Sequence, residues 1–188
     1  VLTVPIGERV VWAWTSGDHL IDDPTVIRQI VGEGVRAAIG TCREGLAGMA
    51  DSHDEARVAR RVAELRTLRS GAVVGYRAAD LTALLTADPV EAVRFTEAEL
   101  GELIADTDAA ARLRATLRVY LEENLSPARA ARRLGIHQNT VVYRVKRTEE
   151  QLGHTIEERR LRLEVALQLS EMIGALRAAA DGRRRARP

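Results

Sequence analysis

The chain has 188 residues, of which 46% are hydrophobic and 29% charged but only 3% aromatic. This length accommodates one large or two small domains, whose cores must be built from Ala, Val, Leu and Ile. The single cysteine, Cys42, excludes an internal disulfide, and no apolar stretch is long enough for a membrane helix or a signal peptide. We therefore expect a cytoplasmic protein that has no membrane partner.

The net charge of +1 hides an asymmetry along the chain. Residues 1–107 carry 11 Arg against 17 Asp and Glu, a net charge of −6. Residues 108–188 carry 17 Lys and Arg against 10 Asp and Glu, a net charge of +7. A basic half joined to an acidic half predicts that a polyanion binds the C-terminal half.

The N-terminal part alternates short extended runs with helical segments. The predicted elements are strands at 2–6, 10–14, 35–39 and 72–75 and helices at 22–31 and 52–68. A glycine-rich loop at 41–50 precedes the second helix, which Ser52 caps. The buried side of that helix is predicted to consist of Ala56, Ala59, Val62, Ala63 and Leu65. The order ββαβαβ predicts a sheet with helices packed on it, and hence an α+β domain at 1–86.

A helical connector is predicted over residues 87–107, with two short amphipathic helices at 90–95 and 97–104. An N-cap cluster at 106–108 then begins a helix that runs to about residue 124. Its apolar side is predicted to pack under the helices that follow and consists of Leu113, Leu117, Tyr120 and Leu121.

Residues 126–153 predict a helix-turn-helix. Ser126 is a good N-cap, and Pro127 fits the first helical position. Gly135 ends this first helix, and a second helix runs over 138–152. At about 100° per residue, the second helix has one narrow apolar sector. That sector consists of Val141, Val145, Thr148 and Leu152.

The opposite sector of the second helix suits the major groove of DNA, because amides and hydroxyls read base edges while Arg and Lys bind guanine or phosphate. An αα-hairpin with a solvated basic face is the alternative, but the short first helix and the glycine turn favour DNA. The predicted contacts are Gln138, Asn139, Thr140 and Tyr143 to bases, Arg144, Lys146 and Arg147 to phosphate or guanine, and Arg129, Arg132 and Arg133 to the DNA backbone. His137 is either an N-cap, which we favour, or a phosphate contact.

A long helix is predicted from Ile156, capped by Thr155, to about Ala180. It has two apolar sides, one made of Leu161, Val165, Leu169, Met172 and Leu176 and the other of Leu163 and Leu167. One side can cover the helix-turn-helix. The other needs either a twin subunit or the N-terminal domain of the same chain, and the sequence favours neither. The DNA-binding domain is thus predicted at 108–180, followed by a disordered basic tail at 181–188.

The stretch YLEENLSPARAARRLGIHQNTVVYRVKRTEEQLG resembles the C-terminal helix-turn-helix of the PucR/CdaR family of bacterial transcription regulators. The specific part is 137–141, then Tyr143-Arg144, a basic pair and 149–153, whereas Val145 and Thr148 are smaller than the family's usual inward residues. The resemblance implies a sequence-specific regulator of a metabolic operon. It further implies a homodimer on double-stranded DNA, contact with RNA polymerase, and an effector sensed elsewhere in the full-length protein.

The segment VRAAIG, the glycine-rich loop and SHDEARVARRVAELRTLRSGAVV resemble the degenerate GGDEF-type cyclase domain that precedes this helix-turn-helix in the family. The active signature would lie in the first hairpin, where this chain has Gly7-Glu8-Arg9 and no carboxylate pair for Mg²⁺. The resemblance implies a scaffold without catalysis, truncated at its N-terminus. The alternative is a residual nucleotide-binding or cyclase-like domain, with the helical part as an interaction module.

Other enzyme sites find no support in the sequence. There is no Gly-x-Ser-x-Gly turn, and Cys42 and His53 have no visible third member of a catalytic triad. The histidines lack metal-ligand spacing, and the glycine-rich loop lacks the Lys-Ser/Thr ending of a P-loop. We expect no enzyme activity, no cofactor and no metal.

Overall fold

The computed structural model describes residues 1–15, 27, 34–66 and 72–185. Contacts divide the chain into two compact units, Val1–Ala87 and Asp88–Pro188. Compactness does not establish independent folding, so the domain boundaries drawn from the sequence stay predictions. The helix predicted at 22–31 lies outside the described residues, apart from Ile27.

The N-terminal unit contains two small sheets. β1 (Leu2–Ile6) and β2 (Val10–Trp14) pair antiparallel, and Gly7 in the turn has a φ of +68°, so the predicted hairpin is confirmed. β3 (Ala37–Ile39) and β4 (Val73–Gly75) pair in parallel. The four described strands therefore form two separate sheets instead of the one sheet predicted, because the hairpin strands bond only to each other. The GGDEF-like fold stays a prediction.

Between β3 and β4 lies α1 (Gly45–Leu65), which begins well before the predicted start at Ser52. The glycine-rich loop is therefore largely helix. Two glycines in this region are closely packed. A Cβ on Gly40, just before the loop, would lie 1.9 Å from the backbone oxygen of Ser52, and a Cβ on Gly48 would lie 2.7 Å from the Cβ of Arg43. The helix thus includes Gly45 and Gly48 despite the weak helix propensity of glycine.

Small side chains build the core of the N-terminal unit, which consists of Ala59, Val62, Ala63, Val74, Ala79 and Ala83. The predicted burial of the three α1 residues in this set is confirmed, while Ala56 and Leu65 are only half-buried. The last two core alanines come from α2 (Tyr76–Leu85), a helix that the sequence analysis did not predict. The two helices pack through alanines, whereas Leu81 and Leu84 of α2 are 55% and 73% exposed.

The described residues of the C-terminal unit form helices joined by turns, with no strand among them. Its elements are α3 (Pro89–Leu100), a 3-10 helix (Gly101–Ile104), α4 (Asp108–Glu122), α5 (Pro127–Leu134), α6 (Gln138–Leu152), α7 (Arg160–Ser170) and α8 (Ile173–Arg185). The two short helices predicted for the connector are thus one α-helix and one 3-10 helix. None of the described helices is both long and apolar enough to cross a bilayer.

Helix α4 lies at the centre of this unit. Its Leu113, Leu117 and Leu121 are buried in one cluster with Leu100, Leu103, Ile156, Leu163, Ala166 and Leu167. Tyr120 is half-buried against this cluster and against the helix-turn-helix. The predicted buried side of α4 is confirmed. Helices α5 and α6 pack against α4.

The long C-terminal helix predicted from the sequence is wrong. Thr155 and Glu158 exchange hydrogen bonds of 3.2 and 3.4 Å, yet residues 156–159 form turns and not a helix. The helix is interrupted a second time between α7 and α8. These interruptions allow residues from both predicted apolar sides of the helix to be buried within the C-terminal unit. Leu163 is fully buried, whereas Leu161 is 72% exposed.

Helix α3 packs against both α7 and α8. The second apolar side is therefore covered within the unit, and neither a twin subunit nor the N-terminal domain is needed for it. The predicted disordered tail is also wrong in part, because α8 continues to Arg185. Residues 186–188 lie outside the described residues.

Candidate nucleic-acid interface

Local signals set the ends of α5 and α6. The Ser126 hydroxyl accepts a 3.4 Å hydrogen bond from the amide of Arg129 and caps α5. Gly135 and Gly153 end the two helices with φ of +66° and +73°, a region that favours glycine. Both predicted helices are confirmed, with α6 beginning at Gln138 as expected.

The N-cap role of His137 is also confirmed. Its Nδ1 accepts a 3.2 Å hydrogen bond from the backbone amide of Asn139. The side chain of Asn139 itself points away from the core and is exposed. The first turn of α6 is thus closed by the preceding residue, which leaves its amide and hydroxyl side chains available for other partners.

Small residues hold the two helices together. Ala130, Ala131 and Val141 form a buried cluster, against which Val119, Tyr120, Leu134, Ile136 and Val145 pack. Thr148 is buried, and its hydroxyl donates a 2.9 Å hydrogen bond to the carbonyl of Arg144, so no polar group is left unpaired there. The predicted inward sector of α6 is confirmed, and the alanines allow α6 to cross α5 closely.

The turn before α5 has an unusual backbone. Asn124 and Leu125 have φ of +50° and +58°, which is rare for residues other than glycine. Arg160 of α7 donates hydrogen bonds from Nη2 to the Leu121 carbonyl at 3.3 Å and to Asn124 Oδ1 at 3.0 Å. Leu125 packs against the core. These contacts hold the turn, and with it the start of the helix-turn-helix.

Five of the predicted contact residues share the exposed side of α6. They are Gln138, Asn139, Tyr143, Lys146 and Arg147. Arg147 Nη1 donates a 3.3 Å hydrogen bond to the Tyr143 hydroxyl, so these two side chains are aligned along the helix. Thr140 is half-buried beside them. The structure therefore brings these side chains together on one polar, basic surface, which we call the α6 surface.

Arg144 lies at the flank of the α6 surface and differs from the others. It is half-buried, and its Nη1 donates a 3.1 Å hydrogen bond to the hydroxyl of Thr116, a buried residue of α4. No local pattern in the sequence indicates this contact, since it joins residues in different helices. Arg144 thus ties α6 to the central helix of the unit.

The arginines of α5 are exposed, but two of them have acidic partners. Arg133 contacts Glu122 at 2.7 Å and Glu123 at 3.3 Å, while Arg129 Nε lies 3.4 Å from Glu123. Both carboxylates stand at the end of α4. The sequence analysis missed this pairing. It reduces the positive charge that α5 presents.

One further side chain on the α6 surface was not predicted. Val142 is 46% exposed, one turn before Lys146. Beside the surface, Arg147 and Gln151 line a cleft of about 310 Å³, together with residues of the 3-10 helix and the start of α4. The cleft widens the space next to α6.

A second cavity, in the N-terminal unit, has a volume of about 270 Å³ and is lined by Arg43, Glu55 and Tyr76 among others. Glu55 is buried, which opposes its charge, but hydrogen bonds from Thr41 and Arg43 outweigh burial and lower the pKa of this carboxyl. The carboxylate is thus already engaged by the protein. In the part of the chain that the structure describes, no group of three or more His, Cys, Asp and Glu residues could hold a metal ion.

Comparison with known proteins places the α6 surface in a known type of domain. Residues 113–170 match the family model of the PucR C-terminal helix-turn-helix domain. The purine catabolism regulatory protein of Bacillus subtilis (strain 168) is 37% identical over 101 residues, which are 52% of this chain and 19% of that protein. An uncharacterized protein in the pkwA 5' region of Thermomonospora curvata is 38% identical over 89 residues, 46% of this chain and 48% of that protein. The matched segment thus spans less than half the length of each relative.

Proposed function

We propose that this chain is the DNA-binding part of a transcription regulator of the PucR type, and that α6 enters the major groove. The observation that carries the proposal is the division of α6 into a buried apolar sector and an exposed polar and basic one. The match of residues 113–170 to the PucR helix-turn-helix domain supports it independently.

Base readout in this proposal comes from the N-terminal half of α6. Asn139 can bind adenine through two hydrogen bonds, as Gln138 can, and Thr140 and Tyr143 offer hydroxyls that donate or accept. The cap formed by His137 supports this role for Asn139, because it satisfies the backbone amide and leaves the side-chain amide for a base.

Phosphate or guanine contacts come from the cations. Lys146 and Arg147 are exposed on the same sector as Asn139. Arg144 keeps its place in the proposal because its bond to Thr116 uses one of the five N–H donors of a guanidinium. On α5, Arg132 can bind the DNA backbone directly. Arg129 and Arg133 would first exchange their glutamates for phosphate.

The remaining parts of the proposal concern the full-length protein. We infer that it regulates a metabolic operon in the bacterial cytoplasm, binds its operator as a homodimer and contacts RNA polymerase. Its effector is sensed outside this segment, and the N-terminal unit is a degenerate GGDEF-like scaffold without catalysis. Support comes from the name of the Bacillus subtilis relative and from the usual binding of helix-turn-helix proteins to two half-sites.

The experiment that tests the DNA-binding proposal starts with selection of duplexes from a random pool by the full chain. In a fluorescence-anisotropy titration on the selected duplex, Asn139→Ala should weaken binding by about 1–3 kcal/mol and relax the preference at one base pair. Gln151→Ala, an exposed amide in the last turn of α6, is the matched control and should bind as the parent does. Equal binding by Asn139→Ala and the parent would contradict the proposal that α6 reads bases through Asn139.

A further inference from the structure

Two neighbouring valines of α6 have opposite surroundings. Val141 is fully buried in the helix-turn-helix cluster, whereas Val142 is 46% exposed. The two core clusters to which α6 contributes contain or contact Val141 and Val145 but not Val142. Among the described residues of α6, Val142 is thus the aliphatic side chain that the fold leaves outside.

The place of Val142 on the helix is informative. Residues three and four apart in an α-helix share a face, so Val142 neighbours Gln138, Asn139 and Lys146. These three neighbours are exposed and polar, while the fourth, Val145, is half-buried against the core. An aliphatic group therefore stands at the side of the α6 surface nearest Val145, next to groups proposed to read bases and bind phosphate.

Folding of the unit does not account for a valine at this position. A β-branched residue is a weaker helix former than alanine, lysine or glutamate, because its χ1 freedom is restricted by the preceding turn. At a core position, packing offsets this cost. Val142 is 46% exposed and belongs to neither core cluster, so stability alone gives little reason for a valine here.

We propose that Val142 contacts the 5-methyl group of a thymine in the major groove and makes the protein selective for thymine at that base pair. This inference rests on the proposed function, with α6 in the groove. The thymine methyl is the apolar group that the base edges of the major groove display. The side chain of valine is stiff in a helix, so its own methyl groups are held in place before binding and little entropy is lost in the contact.

The test replaces each thymine of the selected duplex, one at a time, by deoxyuridine, which keeps the base pair and removes only the methyl group. With the parent protein, one thymine in each half-site should respond with about a threefold to fourfold loss of affinity, as expected for one buried methyl group. With Val142→Ala, which keeps only the Cβ, the response at that thymine should be clearly smaller, while the responses at all other positions stay as in the parent.

Leu161→Ala is the matched control, because Leu161 is an exposed aliphatic residue of α7 outside the helix-turn-helix. It should leave the whole deoxyuridine profile unchanged, and circular dichroism should show that both variants keep the parent's helix content. A profile that is identical for Val142→Ala and the parent, or a parent that responds at no thymine, would overturn this inference alone. Failure to enrich any duplex would overturn the proposed function and this inference with it.

Discussion

Helices α5 and α6 are both short and basic, yet the structure gives their cations different surroundings. On α5, Arg129 and Arg133 lie against the carboxylates at the end of α4. On α6, Lys146 and Arg147 are exposed, and no carboxylate of the described residues lies within ion-pair distance of them. The difference teaches that a count of cations does not define a polyanion-binding surface. What matters is whether each charge already has a partner within the protein.

Arg159 and Arg162 also have an acidic partner, but this partner is a buried carboxylate. Glu99 of α3 has a side chain only 2% exposed and contacts Arg162 at 2.7 Å and Arg159 at 3.4 Å. The guanidinium of Arg162 also lies 5.0 Å from the centre of the Phe95 ring. These arginines join α3 to α7 and to the turn before it. Their role is therefore structural.

The largest effect is expected from removing the charge of Glu99. Glu99→Gln should lower the free energy of unfolding by about 2 kcal/mol at pH 7, because a charged hydrogen-bond partner is lost in a buried place. Urea denaturation followed by circular dichroism measures this change. Glu91→Gln removes a similar carboxylate from an exposed 2.9 Å pair with Arg94 and should cost less than about 0.5 kcal/mol.

The same pair of variants has a defined pH dependence. The hydrogen bond from Arg162 lowers the pKa of Glu99, against the effect of burial. A carboxyl whose pKa is lower in the folded than in the unfolded state stabilises the protein above the unfolded value, about 4.3, and this stabilisation is lost as pH falls through the folded value. The difference between parent and Glu99→Gln should therefore shrink below about pH 4. A constant difference down to pH 3 would contradict the ionic role of Glu99.

The next effect concerns an unpaired cation of α6. Arg147→Ala should weaken binding to the selected duplex about tenfold and lower the slope of log affinity against log salt concentration by about one. Titrations at four salt concentrations measure the slope. Arg94→Ala removes an exposed arginine from α3 and should leave both quantities unchanged. If the slope for Arg147→Ala equals that of the parent, as expected for Arg94→Ala, Arg147 does not contact phosphate.

The smallest effect has the opposite sign and tests the paired cations of α5. Glu123→Gln should free Arg129 and Arg133 in part and raise DNA affinity about twofold to threefold at low salt, since each phosphate contact adds to a salt-dependent attraction. Glu64→Gln makes the same change of net charge at an exposed pair with Arg60 in the other unit. If both variants raise affinity equally, the carboxylate of Glu123 does not mask α5.

The parts of the molecule that the sequence predicted well are those fixed by neighbours in the chain. The helix-turn-helix was predicted to its ends because Ser126, Gly135 and Gly153 act on their own turns. The hairpin followed from the same kind of local signal. The buried and exposed sectors of α6 followed from its periodicity alone, since one narrow sector is apolar.

The parts that could not be predicted depend on residues far apart in the sequence. No local pattern indicates the close packing of Gly40 against Ser52, which lies 12 residues later in the chain. The C-terminal helices offered two apolar sides, and only their break and their contact with α3 decide that Leu163 is buried and Leu161 exposed. Val142 was overlooked because a search for polar contacts passes over an aliphatic residue.

The two left-handed residues at the start of the helix-turn-helix link distant parts of the chain. Holding Asn124 and Leu125 in that conformation costs of order 1 kcal/mol or more each, and Arg160 of α7 supplies bonds that offset the cost. A fragment that stops after α6 would keep all residues of the α6 surface but lose Arg160, whose side chain holds the turn before α5. A shorter piece that keeps these contacts must therefore extend past residue 160, as the segment 113–170 does.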